Sequence, residues 1–189
     1  MAILIVGLVL FLGVHSLSIV NEPLRNRLHN SLGEVPFKGL YGLASLVGLV
    51  LIIWGYGAAR MDPTVIYTPA GWLRHLAMLL LVPVFPLLFA TYFPGKIKAK
   101  VGHPMLVAVK LWALAHLLAN GMLHDVLLFG SFLAWAVVDR ISMKRRTQRP
   151  IPTLPANKAN DAIAVIGGLA VYVLMVVWAH QWLFGVAPV

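Results

Sequence analysis

Seven histidines stand in a 189-residue chain that holds no cysteine and only six carboxylates. Without cysteine there is no disulfide, thiolate metal site or thiol nucleophile. No serine sits in a recognisable strained turn, and the carboxylates lie at or near the ends of apolar runs, so a buried acid–base pair is not expected. Imidazole remains. It is neutral near physiological pH, costs less to bury than an ammonium or a carboxylate, and offers a nitrogen lone pair that ligates haem iron.

Trp112, His116, Asn120 and His124 recur every four residues and would share one face of a helix. An aromatic wall, an imidazole and an amide pointing one way suit a flat, apolar cofactor with a polar edge. The same stripe suits the packing of three helices, and spacing alone does not choose between them. Lys110 lies on another flank, placed to snorkel or to meet a carboxylate or propionate. His15 falls inside an apolar run, where a helix–helix hydrogen bond is the plain alternative to ligation. His29 and His103 adjoin polar loops. His75, His124 and His180 gather towards the opposite ends of their runs, where with Asp125 their ligand types would suit zinc or copper, although their spacing matches no metal signature.

The elements that must position these side chains follow from composition. The chain is 60% hydrophobic and 11% charged, whereas soluble domains carry roughly a quarter of their residues as charges. Crossing a hydrocarbon slab ~30 Å thick takes ~20 apolar helical residues. The expected fold is all-α, a polytopic integral membrane helical bundle of about six transmembrane helices in one domain, residues 1–189, without internal repeats. The spans are read as 2–20, 39–59, 70–93, a fourth from Pro104 to near Gly121, a short fifth over 126–138, and 161–184. Pro83 and Pro86 should kink the third. The fifth, with 13 residues, spans only by borrowing neighbours on both sides or in a thinned bilayer. Asn21-Glu22-Pro23 predicts a capped surface helix, and the basic stretch 140–158 with Pro150, Pro152 and Pro155 an extended loop.

The net charge of +9 does not indicate nucleic acid, because the cations sit in the connections. Arg25, Arg27 and Lys38 occupy the first loop and Lys96, Lys98 and Lys100 the third. Arg140, Lys144, Arg145, Arg146, Arg149 and Lys158 occupy the fifth. Cytoplasmic connections collect Lys and Arg, which puts both termini on the outer side of a bacterial-type inner membrane.

Val14-His15-Ser16, Gly102-His103-Pro104-Met105 and the run Leu114-Ala115-His116-Leu117-Leu118-Ala119-Asn120-Gly121 resemble the NnrU family. Phe129 to Ala136 followed by Asp139-Arg140 continues the likeness, which covers nearly the whole chain; Met122 departs from the acidic residue that commonly follows the Asn-Gly pair. The resemblance implies a link to denitrification and nitric oxide metabolism. It also implies kinship with the plant 15-cis-zeta-carotene isomerase, whose activity depends on the redox state of a b-type haem. By that likeness His15 and His116 would be the axial ligands of haem b, with Trp112 and Asn120 shaping its surroundings. His75, His124 and His180 would be dispensable. On depth within the spans alone, His103 would pair with His15 equally well.

Three functions follow as expectations: a haem-b protein of redox or nitric oxide chemistry, an isomerase of a polyene dissolved in the bilayer, or a small transporter or channel lined by His and Asn. The lipid bilayer is the expected partner, with a redox partner or lipophilic substrate beside it. The channel lacks the paired interrupted spans expected of repeated transporter halves.

Overall fold

A computed structural model describes residues 1–147, 149 and 151–188. The expectation for Pro150 falls outside them. Ten helical segments are described: α1 Ala2–Val20, α2 Glu22–Leu32, α3 Glu34–Ala59, α4 Leu73–Leu81, α5 Val84–Tyr92, α6 Lys96–Val101, α7 Pro104–Ala119, α8 Leu123–Ser142, α9 Asn160–Leu174 and, after a π-helical turn over Met175–Ala179, α10 His180–Phe184. Among the described residues, four helices are long and apolar enough to cross a membrane: Ala2–Val20, Glu34–Ala59, the α4–α5 stretch Leu73–Tyr92 and Asn160–Phe184. Pro104–Ala119 is a shorter apolar helix. The 126–138 segment lies inside the 20-residue α8, having taken His124 and Asp125 at one end and Asp139 and Arg140 at the other.

The chain forms two compact units, each built from two stretches of sequence, Met1–Pro69 with Asn120–Gln148 and Ala70–Ala119 with Arg149–Val189. In the first, Asn21 both ends α1 and starts α2. Its backbone N–H donates to Leu17 O at 3.0 Å while its side-chain oxygen accepts the Leu24 N–H at 2.9 Å, which satisfies an otherwise unpaired helix-end donor. Gly33, at φ 82°, turns the chain from α2 into α3. Helices α1 and α3 pack through glycine: a Cβ on Gly7 would stand 2.6 Å from Ile52 N, and one on Gly48 2.8 Å from Phe11 N. In lipid, where tails are as apolar as Leu, close backbone approach is what favours association of helices.

The loop after α3 docks on the α7–α8 junction through its backbone. Ile66 and Tyr67 both donate to Gly121 O, at 2.8 and 3.1 Å, and Leu123 N donates to Thr64 O at 2.8 Å. Only glycine fits at 121, since a Cβ there would fall on the Tyr67 carbonyl oxygen. Tyr67 adds its hydroxyl, which donates to Asn120 O at 2.8 Å; burial, then the nearby Asp125 charge, holds that hydroxyl above the usual tyrosine range.

In the second unit, where Pro83 and Pro86 are expected to kink the third span, α4 ends at Leu81 and α5 begins after Pro83, which lacks the N–H to continue the ladder, while Pro86 lies within the first turn of α5. Val84, Leu87 and Ala108 form a core against which Ile97, Leu111 and Trp112 pack. Asp161, opening α9, accepts the Lys96 and Ile97 N–H groups at 2.8 and 3.0 Å and so caps α6. Asn160 donates to the Pro94 and Pro155 carbonyls at 2.9 and 3.0 Å.

Candidate functional site

His15 stacks on Phe11 one helical turn earlier, ring centroids 4.3 Å apart, and its Nδ1 lies 2.7 Å from the Phe11 carbonyl oxygen. A carbonyl only accepts, so in the neutral ring Nδ1 carries the proton and the lone pair is on Nε2. Tyr41 from α3 and Trp135 from α8 wall the ring at 5.3 and 6.1 Å, the indole edge-on. Trp135 Nε1 is buried and has no hydrogen-bond partner among the described residues, although a buried indole N–H ordinarily finds one.

The same local arrangement recurs in the second unit. His116 Nδ1 is 2.8 Å from Trp112 O and its ring is 5.4 Å from the indole. His180 brings its ring to 6.5 Å from that of His116, planes 22° apart, with its own Nδ1 2.7 Å from Val186 O. It follows directly on the π-helical turn, whose wider register re-aims what comes after it.

The four-residue stripe does not continue down one helix. Helix α7 ends at Ala119, because Gly121 is engaged by backbone donors from the 64–67 loop. Trp112 and His116 remain together in the second unit, while Asn120 and His124 belong to the first, where Asn120 offers its backbone carbonyl to Tyr67. The His75, His124 and His180 set is likewise divided between the units, and no group of three His, Cys, Asp or Glu among the described residues could hold a metal ion.

A second polar cluster lies at the start of α8. His124 and Asp125 are each 4% exposed. The Tyr56 hydroxyl donates to Asp125 Oδ1 at 2.5 Å, and Met122 N donates to Oδ2 at 3.2 Å. His124 Nε2 stands 3.6 Å from Oδ1, beyond hydrogen-bond length, and its buried Nδ1 has no partner among the described residues. Nothing in the spacing of Tyr41, Tyr56 and Trp135 places them beside histidines; Trp135 stands within the Phe129–Ala136 run.

Of the remaining histidines, His29 lies edge-on to Phe37 at 5.4 Å, His75 is exposed, and the His103 carbonyl accepts Val107 N at 3.3 Å at the start of α7.

No curated protein and no solved structure matches this chain. The family described as NnrU protein matches residues 3–188. A match of that extent, over a helical chain carrying the His15, His103–Pro104 and His116–Gly121 segments in place, makes the chain a member of the NnrU family.

Proposed function

We propose that this chain is a haem-b membrane protein of redox or nitric oxide chemistry, with His15 and His116 as the imidazoles that would hold the haem and both termini on the outer side of a bacterial inner membrane. One observation carries the reading. Each of the two rings directs Nδ1 at the carbonyl four residues earlier, the device that fixes tautomer and orientation in metal-ligating histidines and places the basic lone pair on Nε2. The surroundings fit such a group. Phe11, Tyr41 and Trp135 offer aromatic walls around His15 and Trp112 one beside His116, and the partnerless Trp135 N–H is a donor for a polar edge.

His15 and His116 would hold the haem, and the bound group would supply one-electron redox chemistry. The chain's residues hold, orient and shield: Phe11 and Trp112 carbonyls set the rings, and the apolar helices exclude water.

Haem content and the reduced absorption spectrum of purified His15→Ala, His116→Ala and His103→Ala variants, each normalised to inserted protein, test the proposal. Loss in the first two with retention in the third is expected. Wild-type content in both His15→Ala and His116→Ala would sink it.

A further inference from the structure

Three of the histidines are tied to the backbone in the same way. His15, His116 and His180 bring Nδ1 to 2.7, 2.8 and 2.7 Å from a carbonyl oxygen, which puts the proton of the neutral ring on Nδ1 and the lone pair on Nε2. His124 is not tied. Its side chain is 5% exposed, its Nε2 stands 3.6 Å from Asp125 Oδ1, and its buried Nδ1 has no hydrogen-bond partner among the described residues. Without a carbonyl to select the tautomer, either ring nitrogen can carry the proton.

Beside this ring lies a fixed negative charge. Asp125 accepts on both oxygens, the Tyr56 hydroxyl at 2.5 Å on Oδ1 and Met122 N–H at 3.2 Å on Oδ2, the pattern of a carboxylate in its acceptor-only, ionised form. It also occupies the first turn of α8, where the helix end favours an anion. Among the described residues no Lys or Arg stands within 4.0 Å of that carboxylate, and His124 is the neighbour able to become a cation. A buried carboxylate without a matching cation is costly, and a proton on His124 supplies the match. The other groups at this end of the unit do not take that place. Arg60 acts on the Tyr56 hydroxyl from the end of α3, and the Tyr67 hydroxyl, within reach of the Asp125 charge, donates to Asn120 O. Asp62 and the Met1 residue are exposed, and α1 comes up beside Tyr56 with Leu4 packed on Gly55.

We propose that His124 and Asp125 form a buried proton-binding and proton-transfer site where α3 ends and α8 begins, with His124 as the carrier and the Asp125 carboxylate, held by Tyr56, as its counter-charge. A proton gained on Nε2 gives the imidazolium, and loss of the one on Nδ1 returns a neutral ring with the tautomer exchanged. Intramembrane imidazole and carboxylate pairs are suited to such a relay. It needs no bound group, and so stands apart from the haem reading.

The test is infrared difference spectroscopy of the full-length protein in lipid films with ring-labelled histidine, cycled between about pH 8 and about pH 5, the interval in which imidazole exchanges its proton. Wild type should gain an imidazolium signal that His124→Gln lacks, with a shifted carboxylate band and no new protonated-carboxyl band. At the alkaline end, the signal lost in His124→Gln should contain both neutral tautomers. Asp125→Asn should lack the same imidazolium signal, whereas Tyr56→Phe should keep it and move the carboxylate band. His75→Gln, at an exposed histidine of the other unit, should leave both features in place. A folded His124→Gln protein with the wild-type difference spectrum overturns the proposal, as does a folded Asp125→Asn protein that keeps the signal. Growth of a protonated-carboxyl band that Asp125→Asn removes would put the proton on the carboxylate and overturn the assignment to His124. A single neutral tautomer would overturn the transfer between ring nitrogens. The amide bands of the same films report folding, and His124→Asn replaces His124→Gln if the latter fails to fold.

Discussion

His180 lies beside His116, ring centroids 6.5 Å apart and planes within 22° of parallel. Both rings turn Nδ1 to a backbone carbonyl, Trp112 O for His116 and Val186 O for His180, so both present their lone pair on Nε2. A histidine expected, on the family likeness, to be dispensable for binding haem is therefore part of the surroundings of a proposed ligand.

From this the two replacements should differ. His180→Ala is expected to keep haem content while shifting the reduced spectrum or the midpoint potential, because it changes the packing and polarity around His116 without removing a ligand. His116→Ala is expected to lose the haem. Equal loss of haem in both would make His180 a ligand and remove His15 from the pair.

Tyr56 and Asp125 brace α3 against α8. Replacing Tyr56 by Phe leaves a carboxylate that is 4% exposed without the donor at 2.5 Å, at an expected cost of about 1–3 kcal/mol. Thermal unfolding in detergent should show the loss, and adding Asp125→Asn to Tyr56→Phe should cost less than the two single losses together, as expected for partners in one hydrogen bond. Full additivity would mean that the two side chains act independently.

Much of the architecture was legible because it rests on local chemistry. Asn21 and Pro23 announced α2, Pro83 announced the break in the third span, and the 13-residue run at 126–138 became a long helix by taking polar neighbours at both ends. The break after Ala119 was not legible. It depends on Ile66 and Tyr67 reaching a carbonyl more than fifty residues away, and a regular four-residue recurrence carries no trace of that. The placement of His180 was hidden for a related reason, since a π-helical turn changes the register without a distinctive residue. His15 and His116, the proposed haem ligands, were legible as candidates, and the structure adds how each ring is held in its own unit.

Gly121 allows a sharper test of the long-range contact. Gly121→Ala places a methyl on the Tyr67 carbonyl oxygen, and backbone has less room to yield than a flexible side chain. A loss of about 1–3 kcal/mol is expected from such overpacking. Protease cleavage within 61–69 should rise with it, whereas Gly130→Ala, where a Cβ meets nothing within 4 Å, should unfold as wild type does. Equal behaviour of the two variants would show that the docked loop contributes nothing to stability.

The final prediction concerns α7 and α8, the helices for which crossing the membrane is least obvious. Helix α7 has 16 residues and α8 has 20, or about 24 and 30 Å at helical rise, against a hydrocarbon core of ~30 Å. Helix α7 is short, and α8 carries Asp125 and Asp139 near its two ends. Both carboxylates are buried and hydrogen-bonded, Asp125 to Tyr56 and Asp139 to Arg146 and Ser142, so their cost in lipid is reduced. If both helices cross, reporter fusions at Lys98 and Arg146 read the same, inner, side, and a fusion at the C-terminus reads the outer side. If neither crosses, Lys98 and Arg146 still agree, so a third reporter in the junction at Met122 is needed, and it should read the outer side. Opposite readings at Lys98 and Arg146 would leave one of the two helices within a single leaflet, and the span count would fall to five.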